Sequence, residues 1–536
     1  MHTRLYNLLF VAVIGLIIAS CANRGSPSGG EIDSIPPEIV RSFPANYSTN
    51  FKAKEIKIYF NEYIKIKNLS KQLIISPPMD TAPEITPLGS ASKYITIKIN
   101  DTLKPNTTYA FNFGNSIVDN NEENPFTYYR YVLSTGDYID SLTVKGRIKN
   151  AINYESDTFV SVVLYEVNDA YSDSLILKRT PDYITNTLDS TTNFTIENVK
   201  AGTYMLRALK DANSDNKFQQ KTDKIAFYET SITVPSDSAF YKLNLFAEVL
   251  NYKAARPKLV SGEKIIFGFE GDYNDVDIAL LTNVPDTYQS RFFKEEGKDT
   301  LNYFYNPKLE LDSLVFTITN KTIVDTFTVR NRDSSRDTLV VSSFPKNVIK
   351  YNEDFSVSAT IPFTNFDEQK MTIRDKDSVV VPFKKSFDSL QNKYSFRFDK
   401  TEDNKYIVKI LPGAITDFFD NKNDTLNYGL RTLSANKYAN IRVNLINAEY
   451  PVILQLTNKE GDVKAEAYVA EPKPVDFEFL DANTYYLRAI YDRNKNGIYD
   501  TGNYLKGIQP ERVSYSDKPI EGRSGWDEIV TFTLLD

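Results

Sequence analysis

The chain has 536 residues, enough for several domains, with 41% hydrophobic and 25% charged residues, as in a folded soluble protein. Its net charge of -7 is spread along the chain, which argues against a nucleic-acid partner because phosphate binding needs a basic face. The only His is His2 and the only Cys is Cys21. Beyond them there is no imidazole or thiol for a Ser-His or Cys-His nucleophile, for a His- or Cys-ligated zinc, or for a disulfide.

Residues 1–20 read as a signal peptide. Arg4 supplies the positive end, and Leu8–Ala19 is an apolar run of 12 residues, too short to span a bilayer. Ile18-Ala19-Ser20-Cys21 follows, with small residues before the sole Cys, as at a site of lipoprotein cleavage and acylation. Cys21 is therefore the expected lipidation site, and residues 21–35 a flexible tether containing Ala22-Asn23-Arg24-Gly25 and a Ser/Gly/Pro run.

From Pro36 onward the pattern has period two. Ile56, Ile58 and Phe60 alternate with polar residues, as do Ile95, Ile97 and Ile99, then Tyr109, Phe111 and Phe113. This is the mark of strands with one buried face. Turn residues interrupt it at Pro44-Ala45-Asn46, Pro77-Pro78 and Pro105-Asn106. No helical period lasts beyond two turns. The expected fold is all-β, a tandem row of β-sandwich domains behind a lipoprotein signal peptide.

The segments Pro36-Pro37-Glu38-Ile39-Val40, Phe43-Pro44-Ala45-Asn46, Ile58-Tyr59-Phe60-Asn61-Glu62, Leu103-Lys104-Pro105-Asn106-Thr107 and Ile117-Val118-Asp119-Asn120 carry a family likeness. Residues 36–137 resemble the bacterial Ig-like domain of S-layer proteins. Together with the Cys21 tether, they resemble Ig-domain lipoproteins of the Bacteroidota. Residues 138–250 resemble a transthyretin-like or pilin-B-like sandwich through Val199-Lys200-Ala201-Gly202 and Tyr204-Met205-Leu206-Arg207-Ala208.

Both modules recur. Tyr204–Asp211 aligns with Tyr485–Asp492 at a constant spacing of 281 positions. Tyr406, Ile415, Asp417, Asn421 and Thr432 likewise resemble Tyr109, Ile117, Asp119, Asn121 and Thr135. A second Ig-like domain is expected over 341–433 and a second transthyretin-like sandwich over 434–536. Residues 251–340 form a β domain of no recognised class.

Three patterns carry possible chemistry. The loop Asp492, Asn494, Asn496, Ile498 and Asp500, with Gly497 at its sixth position, follows the front half of an EF-hand calcium loop. The bidentate Glu of its twelfth position is replaced by Asn503, so a distant carboxylate must complete the shell. The same residues also suit an Asx-rich turn without metal. The earlier copy holds Asp211, Asn213 and Asp215 but lacks the glycine and the later Asp, which makes it the weaker calcium candidate. No other cofactor is implied.

The second pattern is the triplet of Asp, Ser or Thr, then a small or aliphatic residue. It recurs at Ser34, Thr81, Thr102, Ser141, Ser174, Ser190, Ser238, Thr300, Ser313, Thr338, Ser378, Ser389 and Thr425. It resembles the O-glycosylation acceptor of Bacteroidota, and it also suits a turn leading into a strand. The third is aromatic. The abundant Phe and Tyr alternate as core residues do, and the lone Trp526 is expected to cap the last sandwich.

A non-catalytic scaffold, or an accessory subunit of an outer-membrane complex, fits these features best. It would sit on the outer membrane through its lipid anchor, on the cell surface rather than the periplasmic face, with an integral β-barrel protein as partner. The loops 115–126 and 492–507, the latter with Tyr499, Tyr504 and Leu505, are the expected docking loops. A glycan-binding surface lipoprotein of a nutrient-uptake system is the alternative. A carboxylate-based hydrolase in 251–340 is a third reading, since 70 acidic residues supply many pairs.

Overall fold

A computed structural model describes residues 33–188, 192–236 and 239–535. The signal segment, Cys21, nearly all of the tether, Ser190 and Ser238 lie outside the described residues. Within them the chain is almost wholly β. The helical elements there are one four-residue α-helix, Leu69–Gln72, and three short 3-10 turns. No helix among the described residues is long and apolar enough to cross a membrane. Among the described residues two compact units emerge, one up to Leu142 together with Asn198–Lys200, the other from Thr143 to Glu197 and from Ala201 onward.

The first unit holds the Ig-like sandwich. The strand Glu55–Ile66 buries Ile56, Ile58, Phe60, Ile64 and Ile66 on one side, as its alternation requires. A register shift after Tyr59 divides it. Its first half pairs with Ser92–Lys98 and its second half with Ile117–Asp119. The facing sheet is Ile74–Ser76, Thr108–Asn112 and Arg130–Ser134. Phe111, Phe113 and Tyr131 fill the space between the sheets.

The second unit begins with the first repeat module. One sheet runs Tyr183–Asn186, Ser161–Glu166, Gly202–Lys210, Lys224–Phe227 in spatial order, with Ile232–Val234 beside Gly202–Lys210. The other runs Asn193–Val199, Leu142–Asn150, Phe240–Leu245, its last pair parallel. The C-terminal module repeats this plan. Val463–Val469, Val452–Thr457, Asn483–Tyr491 and Val513–Tyr515 form one sheet, with Ile520–Gly522 beside Asn483–Tyr491. Val475–Leu480, Ala439–Ile446 and Asp527–Thr533 form the other, and its last pair is again parallel.

Residues 251–340, unclassified from sequence, are a sandwich of their own. Lys264–Glu270 and Thr300–Asn306 centre one sheet, and Ser313–Asn320 centres the other. Phe267, Tyr303 and Phe316 meet between them at ring separations of 5.3–5.6 Å. Residues 341–433 follow the strand order of the first Ig-like sandwich. Val341–Phe344, Phe355–Ala359, Lys393–Phe398, Phe383–Asp388 face Met371–Arg374, Lys405–Ile410, Leu426–Arg431.

The likeness of the two Ig-like sandwiches extends to single hydrogen bonds. The Tyr109 hydroxyl accepts the Lys104 N–H, while Thr135 Oγ1 accepts the Thr107 N–H and donates to the Lys104 carbonyl. In the second sandwich, Tyr406 accepts from Thr401, and Thr432 Oγ1 accepts from Asn404 and donates to Thr401. Each set ties the loop before a central strand to the end of its neighbour, so backbone groups that the turn would strand are satisfied.

Candidate functional site: the clasp between the repeat modules

The repeated strand places an arginine inside each module. Arg207 lies in Gly202–Lys210 and Arg488 in Asn483–Tyr491, and both are buried. A buried guanidinium is costly unless its donors are met. Arg207 meets them partly from the other module. Its Nε donates to the Tyr504 hydroxyl at 3.2 Å, and its Nη1 to the carbonyls of Leu206 and Tyr228 at 3.0 and 2.9 Å. Nη2 pairs with Asp173 at 3.2 Å. The Tyr504 ring also lies 5.2 Å from the guanidinium, within cation–π range.

Tyr504 is 4% exposed. Its hydroxyl donates to the Asp173 carbonyl at 3.0 Å, its ring packs edge-on against Phe227 at 5.5 Å, and its N–H donates to Glu248. Burial holds the phenol above its ordinary pKa, against the opposing pull of Arg207, so it stays protonated and able to donate. Thr501 donates to the Ala247 carbonyl at 2.6 Å and Gln509 to that of Phe227 at 2.9 Å. Gly502 passes so close that a Cβ there would lie 2.5 Å from the Phe246 ring.

The reverse contact uses Arg488. It donates from Nε to Gln455 at 2.6 Å and from Nη1 to the carbonyl of Ile152 in the first module. Tyr154 packs on Tyr486 and Tyr515 at 5.2 and 6.2 Å, and Lys459 pairs with Glu155 at 3.0 Å. Each module therefore closes over an arginine of the other.

The expected docking residues need correction here. Tyr504 is spent within the chain, and Tyr499 is half-buried. Ile498 and Leu505 are the exposed apolar residues of that loop, with Ile508 exposed just past its end. Trp526 is also corrected. It is 60% exposed and does not cap the core; it follows a positive-φ turn at Gly525, and its ring lies 5.8 Å from the Arg523 guanidinium instead. In loop 115–126, Asp119 is buried and its carboxylate accepts four backbone N–H groups, from Asn121, Glu122, Glu123 and Asn124. Burial alone would raise its pKa, but these donors outweigh it and hold the carboxyl below the ordinary range.

The two loops of the calcium expectation are built alike. Asp492 accepts the N–H groups of Asn496 and Gly497 at 3.1 and 2.8 Å, and Asp211 accepts those of Asn213, Ser214 and Asn216. Asn494 and Asn496 donate to Asp500, and Asp215 receives Gln219 in the earlier copy. Sequence reasoning missed a carboxylate in each. Glu511 accepts from Arg493 and Asp500, and Asp223 accepts from Ala212 and Gln219 in the same way. Burial first, then Asp500 and Asp492, push the Glu511 carboxyl above its ordinary range. Among the described residues no three His, Cys, Asp or Glu side chains form a metal-holding group.

Eleven of the thirteen Ser/Thr triplet hydroxyl residues are described, and all are exposed or half-exposed. Thr300 and Ser313 each open a strand, as the turn-to-strand pattern requires.

Residues 33–135 match the family described as Bacterial Ig-like domain. No curated protein matches the chain. Domains 1–6 of the surface layer protein SbsC align at 10% identity and a TM-score of 0.18, covering 91% of this chain and 67% of that one. SGBP-B of the Bacteroides ovatus mixed-linkage glucan utilization locus aligns at 12% identity and 0.18, covering 62% and 87%. An I-band fragment of titin aligns at 10% and 0.12, covering 52% and 98%. At these scores the likenesses carry no functional meaning.

Proposed function

We propose that the protein is a non-catalytic lipoprotein, acylated at Cys21 and anchored to the outer membrane. It serves on the cell surface as a scaffold or accessory subunit for an integral β-barrel protein. The observation that carries this reading is the clasp. Two modules distant in sequence are locked through Arg207, Tyr504 and Arg488, which suits a body that holds faces at fixed spacing. Residues 22–536 also contain no His or Cys, which removes the commonest nucleophile and zinc chemistries. The exposed Ile498, Leu505 and Ile508 at the clasp tip are the proposed contact, and tethering makes a modest interface sufficient. O-glycans at the exposed triplets belong to the same proposal.

Affinity purification from gently solubilised membranes tests it. A stoichiometric β-barrel companion is expected, weakened when Ile498, Leu505 and Ile508 are changed together to Ser. A monodisperse monomer without a companion, or turnover of a glycan or peptide, would overturn the reading.

A further inference from the structure

A cleft of about 820 Å³ runs between the first repeat module and the C-terminal one. Its floor is the outer face of the parallel pair Leu142–Asn150 and Phe240–Leu245. The register sets Arg147 directly beside Lys242, and Lys149 beside Asn244. The alternate residues, Val144, Ile148, Leu243 and Leu245, face the core, so the three cations share the cleft side.

Like charges placed opposite one another weaken a sheet. None of these three has an ion-pair partner among the described residues; the module's pairs run elsewhere, as Lys224 to Asp157 and Arg207 to Asp173. The Nε of Arg147 is shielded from solvent and has no hydrogen-bond partner. Burial, then Arg147 and Lys242, depress the Lys149 ammonium, with Asp517 opposing only weakly. The facing wall adds Arg493, and the Glu511 carboxylate on that wall already accepts the backbone N–H groups of Arg493 and Asp500. Glu229 and Asp517 lie on the lining too and leave the cations in excess. This concentration of positive charge sits in a chain of net charge -7.

Tyr154 and Tyr228 supply partly exposed rings to the same walls, and the volume falls in the range of small-ligand sites. Rings offer faces to a pyranose, and the cations offer an oxyanion partner. We infer that this cleft binds an acidic saccharide, a sugar unit carrying carboxylate or phosphate, with Arg147, Lys149 and Lys242 on the anion and Tyr154 and Tyr228 against the ring. This site is separate from the contact proposed at the clasp tip, so either can fail without the other.

The test uses the full chain with Cys21→Ser for solubility. Calorimetry is run with trigalacturonate, with an uncharged trisaccharide of like size, with inorganic phosphate, and with vesicles bearing a phosphorylated glycolipid headgroup. Trigalacturonate or the glycolipid should bind, and which one does assigns a free or a membrane-borne source. Affinity should fall at least tenfold in the Arg147→Gln, Lys149→Gln, Lys242→Gln variant and decline with salt. The unliganded variant should melt no lower than the parent, since like-charge repulsion is removed. Binding by the uncharged trisaccharide at equal strength, binding of phosphate alone, no binding at all, or unchanged affinity in the folded variant would each overturn the inference.

Discussion

Replacing Tyr504 with Phe removes one oxygen from the clasp and keeps the ring. That oxygen accepts from Arg207 Nε at 3.2 Å and donates to the Asp173 carbonyl at 3.0 Å. The carbonyl is uncharged and loses a single donor, the smaller part of the cost. The Nε belongs to a guanidinium only 3% exposed and is left without an acceptor. A lost hydrogen bond to a buried charged group costs about 1.5–3 kcal/mol, so about 2 kcal/mol is expected. Tyr504→Ala also deletes a ring packed on Phe227 and Phe218 and should cost about 4 kcal/mol or more. The assay is urea unfolding of the soluble full chain, with a double-mutant cycle against Arg207→Met. In the cycle Tyr504→Phe should be nearly silent once Arg207 is gone, giving a coupling of about 1.5–3 kcal/mol. A coupling near zero, or a Tyr504→Phe chain with an unmoved urea midpoint, would refute the argument that Arg207 depends on the second module.

Three further outcomes follow from particular residues. Cys21→Ser should abolish acyl-chain labelling and release the protein from the membrane fraction; retention there would count against the anchor. Gly502→Ala should destabilise the clasp by about 1–3 kcal/mol, because its Cβ would meet the Phe246 ring at 2.5 Å and the Ile508 carbonyl at 2.7 Å. Asp119 has a depressed carboxyl in the folded state, so its contribution is complete above the unfolded value near 3.9 and is lost as pH falls through the folded one. The denaturation midpoint of the parent should therefore fall more steeply below about pH 4 than that of Asp119→Asn, and parallel pH profiles would contradict this.

The all-β character was legible in the sequence because period-two alternation follows directly from burial on one face, as Ile56, Ile58 and Phe60 illustrate. The duplication was legible where backbone geometry demands fixed residues. Tyr204 and Tyr485, Arg207 and Arg488, and Asp211 and Asp492 hold corresponding places in equivalent strands and loops. Tyr109 with Thr135 and Tyr406 with Thr432 signalled the second Ig-like sandwich, although only the structure displays the latch that makes them recur. Tyr504 was misread because a tyrosine in a turn-rich loop looks solvent-facing, and its destination lies 297 positions away at Arg207. Trp526 was misread for the opposite reason. Its apolar ring suggested burial, but it lies at the surface beside the Arg523 guanidinium. Glu511 was invisible as a partner of Asp500 because the loop between them has no periodic constraint on length.

That length is what distinguishes the two modules. Through the repeated strand and the first part of the loop, equivalent residues are 281 positions apart, as Asp211 and Asp492 are. Past the loop they are 288 apart. Phe227 pairs with Arg207 as Tyr515 pairs with Arg488, and Ile232 with Tyr204 as Ile520 with Tyr485. The second loop is thus seven residues longer, and the difference falls between Asp500 and Glu511, where the first copy goes from Gln219 to Asp223. Thr501, Gly502 and Tyr504, which reach Ala247, Phe246 and Arg207, all lie in this stretch. The carboxylate after the insertion still binds the same two backbone N–H groups in both copies, so the loop base kept its geometry while its tip extended. A duplicated module could therefore acquire a contact to its sister without disturbing its own fold. Deleting Gly502–Ile508 should free the two modules from one another while leaving the Asp492 turn and the Glu511 contacts in place. Limited proteolysis would then be expected to cut between them, and a deletion chain as resistant as the parent would show that the Arg488 and Tyr154 contacts suffice alone.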